Sequence, residues 1–486
     1  MKRRRLLAAA AGLGLACGLP PPAGAPPTSP PPSGGTLRVA LAEPPVGLDP
    51  SRAVDAGSLL VTRQVFETLV DYEPASMRLV PQLARSWDVS ADGLVWTMVL
   101  RDDVRFSDGT PLDADAVVRS FARGRAADAA AIIRAVEARS SSRVAITTGA
   151  PYGPLLSLLA LPSFAIQSGG GTGTGPFRAT SVDGLVLERN PLYRGAPASI
   201  DRVAFRVLRE ASARVAELRS GAVDLLTDVA PAEGAVLKGD PNLVVLARPA
   251  LDVGYLGFDA ASRPFDDRAL RRAVGSAVNR SLLATAVVGD ARVVAQLVPA
   301  GLLGFDETVT EFIRYDDAFA RRALADAGLA GGLQTELWYP PAGRPWAPDP
   351  RRLAAAIAAD LARVGVNATL RTEDDAGYDR DAVAGRFPLW LGGSGGRPLE
   401  PADPDLYFAG LARVGPLAEL LRAAHTQVDG SRRAELYKQA SRLVQQDVLR
   451  LPLLQVSALA ATSRKVSGYA PHPAGIDSFA SLRLSR

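Results

Sequence analysis

The chain has 486 residues, 47% hydrophobic and 22% charged, a composition that is typical of globular proteins and excludes a disordered chain. That length exceeds what one compact core usually supports, so we expect at least two lobes. The formal charge is +4, and Lys2–Arg5 alone contribute four cations, so the remaining chain is balanced and provides no electrostatic argument for nucleic-acid binding.

Residues 1–17 have the pattern of an export signal peptide. A basic stretch precedes an apolar run, 6–16, that is too short to span a bilayer. Gly14-Leu15-Ala16-Cys17 resembles a lipobox, with Gly14 where Leu is usual, and predicts lipid attachment at Cys17. The alternative is an ordinary cysteine inside a signal that is cleaved later. Arg3-Arg4-Arg5 also resembles a twin-arginine signal, so Sec and twin-arginine export both stay open.

Cys17 is the only cysteine, so an intramolecular disulfide is impossible. Residues 18–35 are almost entirely Pro, Gly, Ala, Ser and Thr, which cannot bury a core and predict an extended tether. A tether behind a lipidated cysteine would hold a folded body away from a membrane. We therefore expect a periplasmic or cell-envelope location, either free or lipid-anchored.

Strand and helix patterns alternate from residue 36 onward, which predicts α/β architecture. A strand is expected at 37–41, and apolar residues at helical spacing predict a helix over 58–70. Asp92-Gly93 between two strand-like runs predicts a hairpin. Further strands are predicted at 185–189 and 202–208, and further helices at 113–121, 211–220, 267–288, 317–327, 351–364 and 431–448.

Seven ordered segments carry a resemblance to a known family. They are Val65-Phe66-Glu67-Thr68-Leu69-Val70, Val80-Pro81-Gln82-Leu83-Ala84-Arg85-Ser86-Trp87, Leu100 to Leu112, Gly173-Thr174-Gly175-Pro176-Phe177, Arg189-Asn190-Pro191-Leu192-Tyr193, Ser220-Gly221-Ala222-Val223-Asp224 and Tyr255-Leu256-Gly257-Phe258. In the same order they resemble segments of bacterial extracellular solute-binding proteins of family 5, the peptide and nickel class that serves ABC importers.

This resemblance implies an α/β, periplasmic-binding-protein-like fold of type II, with two hinged lobes and an extra subdomain inserted in lobe I. The expected boundaries are 1–17 for the signal peptide, 18–35 for the tether, 36–71, 169–255 and 455–486 for lobe I, 72–168 for the inserted subdomain and 256–454 for lobe II. We expect the chain to cross between lobes near 255–259 and 451–456. Gly173–Pro176 is expected to be another crossing point, and 123–143 a compact helical stretch of the subdomain.

The same resemblance implies the solute-binding component of an ABC import system. Such a protein captures a short peptide or other small molecule in the cleft between its lobes and delivers it to a permease with a partner ATPase. A monomer without a cofactor or side-chain metal site is expected, although relatives that carry nickel through a small chelator keep that route open. The alternative role on this fold is a ligand-sensing receptor or a peptide chaperone.

Tyr339, Arg344 and Trp346 belong to a segment that resembles the dipeptide-binding branch, in which an Arg-Pro-Tyr segment lines the cleft. On that mapping Arg344 would bind a ligand carboxylate through two parallel donors, and Trp346 would exclude water. The alternative is a surface arginine on a proline-rich loop.

A second ligand contact is expected from Ser394, Arg397 and Asp403, where the dipeptide-binding branch carries an aspartate that pairs with a peptide ammonium. An arginine at this place would repel an ammonium, unless Glu400 or Asp403 takes over. We therefore expect an anionic or neutral solute rather than a zwitterionic dipeptide.

Gly392–Gly396 also matches the G-x-S-x-G pattern of hydrolase nucleophile elbows, with Ser394 as nucleophile and His425 or His472 downstream. An elbow must open a helix, and the prolines that follow oppose one. Esterase chemistry at Ser394 is thus a remote alternative, and no catalytic residue is expected.

Overall fold

The computed structural model describes residues 34–53, 55–123, 131–181, 183, 185–249, 251–289, 291–310, 313–394, 407–408, 410–411 and 415–485. The predicted signal peptide, Cys17, most of the tether, Arg397 and Asp403 lie outside these residues. Within them strands and helices alternate, as the predicted α/β, two-lobe type II fold requires.

The strands are β1 (Thr36–Leu41), β2 (Val70–Tyr72), β3 (Leu79–Pro81), β4 (Ala84–Val89), β5 (Val95–Leu100), β6 (Ile133–Ser140), β7 (Arg143–Thr148), β8 (Phe177–Ala179), β9 (Val186–Arg189), β10 (Arg202–Val207), β11 (Leu225–Val229), β12 (Leu243–Pro249), β13 (Val253–Phe258), β14 (Ala291–Val293), β15 (Leu333–Trp338), β16 (Val366–Arg371), β17 (Leu389–Ser394), β18 (Arg450–Ser463), β19 (Val466–Ser467) and β20 (Arg483–Leu484).

The α-helices are α1 (Ala56–Val65), α2 (Ala114–Arg123), α3 (Leu155–Leu159), α4 (Ala211–Ser220), α5 (Pro231–Leu237), α6 (Arg268–Ala277), α7 (Arg280–Leu282), α8 (Asp317–Asp326), α9 (Pro350–Ala362), α10 (Asp375–Val383), α11 (Gly415–Thr426) and α12 (Gly430–Gln446). A π-helical turn, Leu283–Val288, follows α7.

Lobe I is built around β1, which pairs in parallel with β10 on one side and β11 on the other. Leu37 and Val39 on one face of this strand are fully buried and Ala40 on the opposite face is also buried, as expected for a parallel strand that is covered on both faces. The apolar pattern predicted for 37–41 is therefore confirmed as a central strand of the lobe.

Lobe II contains a second sheet region, in which β15 pairs in parallel with β16 and β17, and β17 pairs antiparallel with β13. Its apolar core gathers residues of α6, α8 and α9 against these strands. The helix predicted at 267–288 is interrupted at Val278, since Asn279 leaves helical geometry and caps α7 through the backbone N–H of Leu282.

The long strand β18 passes from one lobe to the other. Its first half pairs with β13 and β14, and its second half pairs with β11 and β12, so the two sheet regions form one 12-stranded sheet within the described residues. Pairing with β12 ends at Ser457, whereas pairing with β13 begins at Leu454. Pairing with β14 extends to Val456, so the lobes are connected at 456–457, at the end of the crossing expected at 451–456, and at the link between β12 and β13, just before the crossing expected at 255–259.

The insertion in lobe I contains a four-stranded antiparallel sheet in the order β4-β5-β7-β6, packed against α2. The predicted hairpin is confirmed: Gly93 has φ +72°, and Asp92 accepts a hydrogen bond from the Leu94 backbone N–H at 3.1 Å. The prediction of a compact helical stretch at 123–143 is wrong over Ile133–Ser140, because these residues form strand β6 and pair with β7. Local composition favoured a helix there, but pairing with the neighbouring strand overrides that preference.

Two further expectations are corrected. The helix predicted over 58–70 ends at Val65, because Phe66 is already extended. The expected interlobe crossing at Gly173–Pro176 instead lies inside lobe I, against the end of α1. A Cβ on Gly173 would come within 2.1 Å of the Val65 carbonyl oxygen, so the glycine permits a close backbone contact.

Helix ends follow the sequence closely. Asp113 accepts a hydrogen bond from the Ala116 backbone N–H at 2.7 Å and caps α2 as predicted. Gly221 ends α4 with φ +75°. Of the helices that the described ranges contain, none has the length and apolar character needed to cross a membrane.

Candidate ligand site between the lobes

A cavity of about 450 Å³ lies where the two lobes meet the hinge strands. Lobe I contributes the start of α1 and the end of β11, the hinge contributes parts of β12 and β18, and lobe II contributes a proline-rich loop. The lining residues are Ala56, Leu59, Leu60, Thr227, Asp228, Val229, Ala230, Pro231, Arg248, Leu251, Asp252, Arg344, Pro345, Pro348, Val456, Ser457, Ala458, Pro473, Ala474 and Gly475.

Arg344 lines this cavity from lobe II. Its backbone exchanges two hydrogen bonds of 2.9 Å with Ala347, which closes the loop that carries it. Its Nη2 lies 2.9 Å from Asp375 Oδ1 and 3.3 Å from Asp379 Oδ1 on α10. The guanidinium is therefore already shared with two carboxylates, and a ligand carboxylate would have to compete with them.

Trp346 lies in the core of lobe II and is 7% exposed. Its indole covers Gly254 and Gly393, which face each other in the ladder between β13 and β17. Tyr339 is half-buried against the same core, and its backbone N–H donates to the Arg371 carbonyl at 3.0 Å. Tyr339, Arg344 and Trp346 were predicted to contact the ligand. Of these three residues, the cavity lining contains only Arg344.

Ser394 is the last residue of β17, and its Cα lies opposite Val253. The segment after Ser394, where a hydrolase elbow would place its helix, lies outside the described residues, as do Arg397 and Asp403.

The two histidines proposed as partners of Ser394 have other contacts. The ring of His425 meets Tyr152 edge-on at 4.8 Å. His472 is buried in lobe I, and its Nδ1 accepts a hydrogen bond from the Ala474 backbone N–H at 3.0 Å. Burial lowers the pKa of His472 to about 4, so this imidazole is neutral at physiological pH.

The structure adds charged cavity residues that sequence reasoning missed. Asp228 is exposed near the end of β11, in the run Leu225–Val229, and Arg248 lies near the end of β12. Both residues place a charge within a largely apolar strand. This interruption of the strand pattern is the sequence signal that could have identified them as candidate site residues. Only the fold reveals that these strand ends converge on the hinge.

Arg248 connects the cavity to a buried polar cluster of lobe I. Its Nη1 donates to the His472 carbonyl at 3.3 Å and lies 3.9 Å from Asp477 Oδ2. Asp477 also accepts hydrogen bonds from the His472 backbone N–H at 2.6 Å and the Tyr469 hydroxyl at 2.9 Å. Burial raises the pKa of Asp477, and Arg248 acts in the opposite direction.

Comparison with known proteins agrees with this architecture. The family model described as bacterial extracellular solute-binding proteins, family 5 middle, matches residues 78–412, which is more than half of the chain. The chain belongs to this family. The predicted resemblance is thereby confirmed, and the family 5 protein described here is a solute-binding component of the ABC-import class with a periplasmic location.

Relatives of this family 5 protein differ in the ligands that their names state. It is 28% identical to the dipeptide-binding protein of Escherichia coli, over 86% of this chain and 89% of that protein. It is 27% identical to heme-binding protein A of Haemophilus influenzae, over 92% of each chain. The solved structure of HbpA2 from Haemophilus parasuis is 26% identical and superposes with a TM-score of 0.84, covering 93% of this chain and all of the other.

Proposed function

We propose that this protein captures a short peptide or a solute of similar size in the interlobe cavity and presents it to an ABC permease with a partner ATPase. The observation that carries the proposal is the cavity of about 450 Å³, whose walls come from both lobes and from both hinge strands. Ligand pockets for small molecules commonly measure about 300–1,000 Å³, so this volume suits a ligand of a few residues.

Binding in this cavity would favour the closed arrangement of the lobes. A ligand that touches Arg344 of lobe II and the strand ends of lobe I gains its full set of contacts only when the lobes approach each other. The ligand then stabilises the closed state relative to the open state by the difference between its binding free energies for the two states. This difference is the physical basis of capture.

Arg344 is the proposed carboxylate contact. Its ion pairs with Asp375 and Asp379 are solvent-accessible, because the two aspartate side chains are 53% and 68% exposed. Exposed ion pairs contribute little stability, so a ligand carboxylate can replace one of them. Tyr339, Trp346, Ser394, Arg397 and Asp403 stay proposed contacts that the closed complex would have to bring to the ligand.

Calorimetry with a panel of dipeptides tests this role of Arg344. Arg344→Ala should weaken binding about tenfold, since hydrogen bonds to charged groups are worth about 1.5–3 kcal/mol. Arg371→Ala is the matched control, because Arg371 is an ion-paired arginine of lobe II outside the cavity lining. Equal affinities for the two variants would refute the assignment.

Native mass spectrometry of the purified protein tests the function itself. A co-purifying solute that small-angle scattering shows to compact the protein supports capture. No compaction with any solute of a broad metabolite panel would refute it. Loss of uptake in a deletion strain, measured beside signalling responses, separates import from the ligand-sensing role.

Lipid attachment at Cys17 and a monomeric state are further parts of the proposal. Mass spectrometry of the mature amino terminus should show diacylglyceryl-modified Cys17, and Cys17→Ser should release the protein from the membrane fraction. Light scattering should give the mass of one chain.

We also propose that the protein binds its ligand without catalysis. Hydrolysis of nitrophenyl esters by the wild type that Ser394→Ala abolishes would count against this proposal.

A further inference from the structure

We infer that the interlobe cavity selects solutes that carry net positive charge, and that Asp228 binds their cationic group from lobe I. This inference rests on the proposed function, because it assumes that the cavity holds the solute. It names a property of the ligand that the family resemblance and the relatives' names leave open.

An irregularity in strand β11 directs the Asp228 side chain toward the cavity. The register between β11 and β18 shifts between Leu226 and Val229, and bulges of this kind redirect a side chain relative to the ladder. Leu226 and Val229 are buried on either side, whereas Asp228 is exposed and lines the cavity. The carboxylate thus stands on a rigid, buried strand and faces open space.

No hydrogen bond or ion pair joins Asp228 to another residue in the part of the chain that the structure describes. Its negative charge is therefore available to a ligand. An ammonium or guanidinium group is the natural partner, because charge-assisted hydrogen bonds to a carboxylate are roughly twice as strong as neutral ones.

The arginines of the cavity are, by contrast, already matched by acids. Arg344 contacts two aspartates of α10, and Arg248 lies beside the buried Asp477. Asp228 has no such neighbour of opposite charge among the described residues, so its carboxylate adds an unmatched negative charge to the cavity lining. A cation beside Asp228 therefore meets a carboxylate that no described residue neutralises, whereas an anion beside either arginine must compete with an acid that is already there.

This inference differs from the anionic or neutral solute expected from Arg397, a residue outside the described part of the chain. The two views make opposite predictions about charge. Peptides of constant length that differ only in one side chain can therefore decide between them.

The test is calorimetry of the full mature protein with Ala-Lys, Ala-Met and Ala-Glu. We expect Ala-Lys to bind about tenfold more tightly than Ala-Met, and Ala-Glu to bind most weakly. Asp228→Asn should reduce the lysine advantage to within about threefold. Asp88→Asn is the matched control, because Asp88 is also an exposed strand aspartate and lies outside the cavity lining, and it should keep the advantage.

Tighter or equal binding of Ala-Met or Ala-Glu by the wild type would overturn the inference, and so would an unchanged lysine advantage in Asp228→Asn. If none of the three peptides binds, a thermal-shift panel of metabolites sorted by net charge decides. Hits confined to cations that Asp228→Asn weakens support the inference, and neutral or anionic hits overturn it while leaving the proposed function intact. The absence of any hit counts against both.

Discussion

At the scale of single residues, two glycines decide where the Trp346 indole can lie. A Cβ on Gly393 would come within 2.0 Å of Trp346 Nε1, and a Cβ on Gly254 within 3.2 Å of its ring. The paired glycines leave a shallow space over β13 and β17 that the indole fills. The loop carrying Arg344 is thus anchored to the core of lobe II through Trp346, two residues further along the chain.

Gly393→Ala should lower the free energy of unfolding by about 1–3 kcal/mol, because the new methyl group overlaps a buried indole that has little room to move. Urea unfolding followed by tryptophan fluorescence measures the change. Gly331→Ala is the control, since nothing lies within 4 Å of its added Cβ, and it should be nearly neutral. Equal effects of the two substitutions would contradict this account of Trp346.

His472 should make the protein less stable as the pH falls below neutrality. Burial lowers the pKa of His472 in the folded state to about 4, whereas an unfolded histidine titrates near 6.5. The unfolded chain therefore binds the proton first, and stability is lost between about pH 6.5 and pH 4. The contribution between pH 7.5 and pH 5 is about 2 kcal/mol.

Urea unfolding of the wild type and of His472→Asn at several pH values measures this contribution. The wild type should lose more stability than the variant as the pH is lowered from 7.5 to 5. Burial raises the pKa of the neighbouring Asp477 and opposes the effect of His472, but both proteins keep that carboxylate. Parallel curves for the two proteins would show that His472 does not titrate in this way.

At the scale of single elements, helix starts rely on aspartate caps. Asp55, Asp267, Asp316, Asp349 and Asp374 each accept a hydrogen bond from a backbone N–H at the first turn of the helix that follows. Such a cap satisfies a donor that has no partner inside the helix, and the negative charge also suits the helix dipole. This explains why most helix starts could be predicted within a few residues.

Asp113→Ala should lower the free energy of unfolding by about 1 kcal/mol, since the Ala116 backbone N–H of α2 loses its acceptor. Asp113→Asn retains an acceptor oxygen and should keep most of the stability. Chemical denaturation of both variants checks the prediction. A loss of equal size in the two would assign the effect to charge rather than to the cap.

At the scale of the whole molecule, the lobes also meet away from the hinge. One apolar cluster joins the inserted subdomain to the hairpin of α11 and α12, including the buried Trp96, Leu155, Leu417 and Tyr437. The Gly153 backbone N–H donates to the His425 carbonyl at 2.7 Å across this contact. This second contact therefore limits how far lobe II can move away from lobe I unless the contact breaks.

Gly153→Val should weaken that contact. A Cβ on Gly153 would lie 2.2 Å from the Gln427 carbonyl oxygen and 2.7 Å from Arg433 Nη1, so the helical hairpin must move away. We expect a larger radius of gyration without ligand, measured by small-angle scattering, and a stability loss of about 1–3 kcal/mol. Gly430→Ala, whose added Cβ meets nothing within 4 Å, is the control in the same hairpin and should leave both quantities unchanged.

The family, the α/β architecture, the Asp92-Gly93 hairpin and both ends of α2, α4, α8, α9 and α12 could be predicted from the sequence, because each depends on neighbouring residues or on ordered motifs. The sequence did not predict that β6 is a strand, since its pairing with β7 is a tertiary contact. The fold, and no sequence pattern, reveals that Asp228, Arg248 and Arg344 line one cavity while Trp346 lies in the core of lobe II. Residues far apart in the chain converge there, and no local pattern encodes which strand ends meet at the hinge.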